Sequence, residues 1–177
     1  ISGVLLVPPL ADSLDLLNLL KELDVPTVTM GPQLVGERIS SVMIDDRSAA
    51  RTMTEYLIGL GHRRIGFITG NPKYLVSEVR MSGYRDALEA AGIEWRPELV
   101  ATGHFSYRSG LEAADRLLAL PEIPTAIAAS NDEMAAATIS VAHRHHIDVP
   151  GELTVTGFDD TLLATTVWPE ITTIRQP

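Results

Sequence analysis

Four times between residues 64 and 158 the chain returns to a short run that is largely apolar and leads into a polar loop. These runs are "RIGFIT" (64–69), "ELVATG" (98–103), "TAIAAS" (125–130) and "ELTVTGF" (152–158). Between them lie segments with helical periodicity: "SEVRMSGYRDALEAAG" (77–92), stopped by Gly92, "RSGLEAADRLLAL" (108–120), stopped before Pro121, and "NDEMAAATISVAHRHH" (131–146). A strand apolar on both faces must be covered on both, and parallel strands need a long crossover between them, which these helices supply. The series predicts parallel α/β architecture, with a doubly wound layer that is complete by itself. Upstream the alternation is shorter. "GVLLV" (3–7), "VPTVTM" (25–30) and "SSVMI" (40–44) are strand-like. "SLDLLNLLKEL" (13–23) carries leucines at 16, 19, 20 and 23, a helical stripe for which Asp12 or Ser13 can serve as N-cap. A further helix starts near Asp46 and closes at Gly61. Three strands make only part of a second layer.

With 177 residues, 45% of them hydrophobic, the chain has ample material for one large domain or two small ones. It has no cysteine, which removes disulfides, thiolate catalysis and cysteine-ligated metals together and fits a reducing compartment. No stretch approaches the ~20 apolar residues that span a bilayer. No basic segment precedes the apolar start "ISGVLLVPPL", so it is not a signal peptide as it stands. Against 23 acidic residues stand 14 basic ones, a net charge of −9. DNA binding relies on Lys and Arg neutralising phosphates, so this anionic body is not expected to grip a duplex itself.

In an open parallel sheet ligands bind beyond the carboxyl ends of the strands, so the informative residues are those that follow each strand. Arg80 follows "GFIT" and its loop; His104, Phe105 and Tyr107 follow "ELVATG". Asn131, Asp132 and Glu133 follow "TAIAAS", and Asp159 and Asp160 follow "LTVTGF". A cation, an aromatic face, an amide and a carboxylate on one edge suit a polyhydroxylated small molecule: the polar groups bond hydroxyls and the ring stacks on an apolar sugar face. Each residue also has a plain structural role open to it. Asn131 and Asp132 can cap a helix, Arg80 can pair in solvent with Glu78 or Asp86, Phe105 can be core, and Asp159 and Asp160 can cap the following turn. The glycines of "GLGHRRIG" lack the spacing and order of a dinucleotide loop, and no phosphate loop or nucleophile elbow occurs. His143 and His146 lie one helical turn apart without an evident third ligand, so no metal is expected, nor any cofactor. No motif supports enzyme activity.

"YLIGLGHRRIGFITG", "RMSGYRDAL", "PTAIAASNDEMAAA" and "LTVTGFDDTLLATTVWPEITTIRQP" resemble the effector-binding core of lactose-repressor-type (LacI family) transcriptional regulators, over essentially the whole chain. The resemblance implies a periplasmic-binding-protein-like fold, two doubly wound parallel-sheet subdomains hinged by crossovers. The N-terminal subdomain is expected to be incomplete over residues 1–47, with the second over 48–170 and a crossover back at 171–177. It implies that Arg80 clamps a small-molecule effector, that Phe105 stacks on it, and that Asn131 and Asp159 bond its hydroxyls while Asp160 serves the adjacent turn. Gly31 stands where such regulators often carry an aspartate, so no contact is expected there. A sugar or polyol effector, a homodimer in the cytoplasm, no membrane, and operator DNA reached only through a headpiece absent from this chain complete the expectation. A periplasmic sugar-binding protein of a transport system shares the fold and is the alternative; a flavodoxin-like or hydrolytic enzyme on the same layers is a second.

Overall fold

A computed structural model describes residues 2–33 and 39–177 and contains two parallel sheets. The first is built from β1 (Val4–Leu6), β2 (Thr27–Met30) and β3 (Ser40–Val42) in that order, with Val4 opposite Thr27 and Val28 opposite Ser40. Helix α1 (Leu14–Glu22) crosses from β1 to β2 and contributes Leu17 to a small core with Leu6 and Ala11. The Gly/Pro loop expected between β2 and β3 lies partly outside the described residues. Ser13 occupies the N-cap of α1 but its side chain makes no capping bond. Asp12, the other candidate cap, instead accepts the backbone N–H of Gln33 at 2.6 Å, tying the loop after β2 to the loop after β1.

The second sheet follows α2 (Asp46–Gly59). It comprises β4 (Ile65–Thr69), β5 (Val100–Thr102), β6 (Ala126–Ala129) and β7 (Thr154–Thr156) in the order β5-β4-β6-β7, every pair parallel. Helices α3 (Leu75–Ala90), α4 (Tyr107–Leu118) and α5 (Asp132–Arg144) make the crossovers. Strand periodicity divides the core cleanly. Ile65, Phe67, Ala126 and Ala128 face Leu57 of α2 and Tyr84 and Leu88 of α3. Ile68, Ile127 and Ala129 face Ala113 and Leu117 of α4 and Met134 and Ile139 of α5. Two glycines let helices approach closely: a Cβ on Gly83 would lie 2.1 Å from the Arg47 carbonyl oxygen, and one on Gly110 would lie 2.7 Å from the Met134 Cα.

The run at 152–158 yields only three strand residues. At Gly157 the backbone turns from β6 to a new neighbour, the chain beyond a short helix, α6 (Leu162–Thr166), that the sequence pattern did not indicate. Gly157 and Asp159 donate their N–H groups to the carbonyls of Thr172 and Ile174, both at 2.9 Å, so the C-terminal segment runs parallel beside the end of β7. The strand order reverses direction between β4 and β6, the switch point at which an open parallel sheet forms its ligand crevice.

Candidate functional site

Arg80 rises from α3 into that crevice and is buried. Its Nε and Nη2 both lie 2.8 Å from Asp46 Oδ1, and its Nη1 donates to the Ser130 carbonyl at the end of β6. The Phe158 ring lies beneath the guanidinium, 3.6 Å from Cζ to the ring centroid, near enough for a cation–π contact. Neither carboxylate considered from the sequence is the partner: Asp86 instead takes Arg47 in a two-point pair at 2.6 and 2.9 Å. Asp46 is in the first turn of α2 and is itself buried; its second oxygen accepts the side-chain amide of Gln33 at 2.9 Å. The neighbouring Asp45 does the capping, accepting the Ser48 N–H at 2.9 Å.

Asp159 Oδ1 lies 4.0 Å from Arg80 Nη2, an ion pair without a direct hydrogen bond, and accepts the Gln176 amide at 2.6 Å. Its side chain is 30% exposed, so part of it is open to solvent. Burial pushes the Asp159 carboxyl above its ordinary range; Arg80 and the Gln176 bond pull it down, and the charges of Asp132 and Asp46 add to the upward push. The backbone is unusual here: φ is 114° at Asp159 and 57° at Asp160. Positive φ away from the left-handed well costs on the order of 1–3 kcal/mol and persists only where surroundings enforce it. Here the enforcement comes from the paired C-terminal segment, and Asp160 is held by Arg175 and the Thr173 hydroxyl.

Phe105 also has a positive φ, 59°, which swings its ring over Gly70. A Cβ on Gly70 would stand 1.9 Å from the ring, so any side chain there would push the ring from this position. The ring stacks on Tyr74 with centroids 6.2 Å apart, and the Arg80 Cζ is 5.9 Å from its centroid. Asn131 is the N-cap of α5: Oδ1 accepts the Met134 N–H at 3.0 Å, and Nδ2 donates to the Phe105 carbonyl at 3.1 Å. One N–H and one lone pair of the amide remain. The four residues singled out in the sequence thus lie in a chain of neighbours, Asn131 bonding Phe105, Phe105 adjoining Arg80, and Arg80 pairing with Asp159. Tyr74 also lines a cavity of about 350 Å³ whose other walls include Pro8, Pro9 and Gly31 from the first sheet's loops.

Asp132 has a different role from the helix cap considered above. It is buried and accepts three bonds, from the Thr161 N–H (2.7 Å), the Thr161 hydroxyl (2.9 Å) and the Thr173 hydroxyl (2.6 Å), so it pins the returning chain to α5. The sequence reading missed Asp46, Phe158, Gln33 and Gln176. Two of these carried a signal: Asp46 follows "SSVMI" and Phe158 closes "LTVTGF", both at the carboxyl edge already singled out.

A periplasmic binding protein-like domain model matches residues 54–177. Catabolite control protein A of Priestia megaterium is 36% identical over 159 residues, covering 89% of this chain and 48% of the relative. The HTH-type transcriptional regulator GalR of Escherichia coli (strain K12) is 38% identical over 163 residues, covering 92% of this chain and 47% of the relative. Among solved structures, the transcriptional regulator CelR in complex with cellobiose superposes with a TM-score of 0.91 at 38% identity, covering 100% of this chain and 54% of that one. A sugar-binding LacI-family regulator from Escherichia coli complexed with phosphate superposes with a TM-score of 0.91 at 28% identity, covering 99% and 63%. The chain belongs to the periplasmic-binding-protein-like domain family. Within it the chain corresponds to the effector-binding part of LacI-family transcriptional regulators, and it spans about half the length of the curated relatives it matches. These relatives do not favour the transport alternative. Among the described residues no helix is long and apolar enough to cross a membrane.

Proposed function

We propose that this chain senses a neutral sugar or polyol for a cytoplasmic, homodimeric DNA-binding regulator and is not itself a catalyst. Residues 1–47 and 48–170 act as two subdomains, and 171–177 cross back between them. The observation that carries this reading is the pairing of Arg80 with Asp159 across 4.0 Å beside the Phe105 ring. That gap is too long for a direct hydrogen bond and matches a hydroxyl accepting from the guanidinium while donating to the carboxylate. Asn131 supplies its remaining N–H and lone pair to a second hydroxyl. Effector binding favours one angle between the subdomains, and that angle sets operator affinity through a headpiece outside this chain. The effector shifts operator binding only by its differential affinity for the two angles.

Isothermal titration with a panel that begins with cellobiose, the ligand of the CelR complex, tests the site. Arg80→Ala or Asp159→Ala is expected to abolish binding of whichever neutral sugar the wild type takes, with native circular dichroism retained. Unchanged affinity in both variants refutes the site. Turnover of a chromogenic glycoside that disappears in Asp159→Asn refutes the non-catalytic reading.

A further inference from the structure

Among the described residues two acidic groups, Asp46 at 2.8 Å and Asp159 at 4.0 Å, stand against the guanidinium of Arg80, and the charge of Asp132 reaches Asp159 from behind. An arginine left to itself is an anion clamp, because its fork of donors matches phosphate and carboxylate. Here the fork is already engaged. Asp46 takes Nε and one Nη2 donor, the Ser130 carbonyl takes Nη1, and the Phe158 ring covers one face. The Gln33 amide on Oδ2 keeps the Asp46 carboxylate from swinging away.

We propose that Asp46 sets the charge class of the effector: by neutralising Arg80 in a buried ion pair, it makes the crevice select uncharged hydroxyl-bearing ligands and reject phosphorylated or carboxylated ones. The inference rests on the effector-site reading above and adds to it a specificity residue outside the predicted set. A hydroxyl placed between Arg80 Nη2 and Asp159 Oδ1 can accept from one and donate to the other. An unprotonated phosphate oxygen can only accept, and even a protonated phosphate that donates to Asp159 keeps a net negative charge beside that carboxylate while finding Arg80 already neutralised. Ser130 is held for the same arrangement, since its own N–H and hydroxyl both bond the Ile68 carbonyl, at 3.0 and 2.7 Å, and fix the carbonyl that receives Nη1.

The test titrates wild type and Asp46→Asn with glucose, glucose 6-phosphate, cellobiose and inorganic phosphate. The asparagine keeps an oxygen for Arg80 but carries no charge. Wild type is expected to show no heat with inorganic phosphate and to bind any phosphorylated sugar at least ~100-fold more weakly than its neutral parent. In Asp46→Asn the ratio of anionic to neutral affinity is expected to rise by ~10-fold or more. Wild type binding phosphate as readily as the variant, or the variant showing no rise, overturns the inference. If no sugar binds either protein, the sugar reading fails, while the phosphate titrations of the two proteins still decide the charge inference. Should Asp46→Asn lack native circular dichroism, Asp159→Asn, which removes the second facing charge, is expected to give the same rise in phosphate affinity; its failure to do so also overturns the inference.

Discussion

Asp132→Ala separates the residues that build the crevice from those that face its contents. The carboxylate is almost wholly buried and accepts three hydrogen bonds from Thr161 and Thr173, the two ends of the segment that returns past α6. Bonds to a charged acceptor are worth about 1.5–3 kcal/mol each in net terms. The sum is an upper bound, because the variant no longer buries a charge and the partly exposed Thr161 and Thr173 can take water. The partners left behind are neutral, so the expected loss is below that sum, about 2–4 kcal/mol. For a domain of this size that corresponds to a melting point lower by roughly 2–4 °C per kcal/mol, so roughly 4–16 °C. Urea denaturation should show a reduced midpoint with an unchanged slope, and amide exchange should speed up selectively over residues 171–177. Asp115→Ala serves as the control: its contacts to Arg144 and His145 are long, at 3.6 Å, and exposed, so about 0.5 kcal/mol or less is expected. A loss below about 1 kcal/mol for Asp132→Ala would falsify the reasoning, because the backbone pairing of Gly157 and Asp159 would then suffice to hold the segment.

Gly83→Ala forces a methyl group to within 2.1 Å of the Arg47 carbonyl oxygen, so α2 and α3 must separate; a loss of about 3 kcal/mol in the same urea assay is expected. His62 bridges Thr125 and Thr154 at 2.9 and 3.1 Å, and burial lowers its pKa from 6.5. The unfolded chain therefore binds the proton more readily, and stability should fall as pH drops through 6.5 toward the folded value, a dependence that His62→Gln should flatten. Asp159 has the opposite sign. Its folded pKa is raised above 3.8, so its contribution is lost as pH rises through that value to the folded one, and Asp159→Asn should be more stable than wild type at neutral pH by thermal melting. A melting point at or below the wild-type value contradicts that assignment.

The four central strands and their helices were legible because each run is apolar on both faces, a signal that depends only on neighbouring residues. Helix α6 was not, because five residues are too few for periodicity to register. The end of "ELTVTGF" was overextended for a related reason: the residues are apolar enough for a strand, but their backbone partner lies at Thr172 and Ile174. At the site, residues directly after strands were found from position alone. Asp46 escaped because an acid at a helix start has a local explanation, capping, and the adjacent Asp45 fulfils it. Its true partner is 34 residues away, and no local pattern reports that distance. The paired acids at 45–46 and 159–160 divide their labour alike: in each pair one member closes backbone or crossover geometry and the other faces Arg80.

The Gln33 amide has a mechanical consequence. Gln33 belongs to the loop after β2, Asp46 opens α2, and Arg80 sits on α3, so a single carboxylate is grasped from both layers at once. The first sheet cannot slide or tilt against the second without either releasing Oδ2 or dragging Oδ1 off the guanidinium. The arginine is thereby a gauge of the distance between the layers, and whatever occupies its neighbourhood works against the same spring.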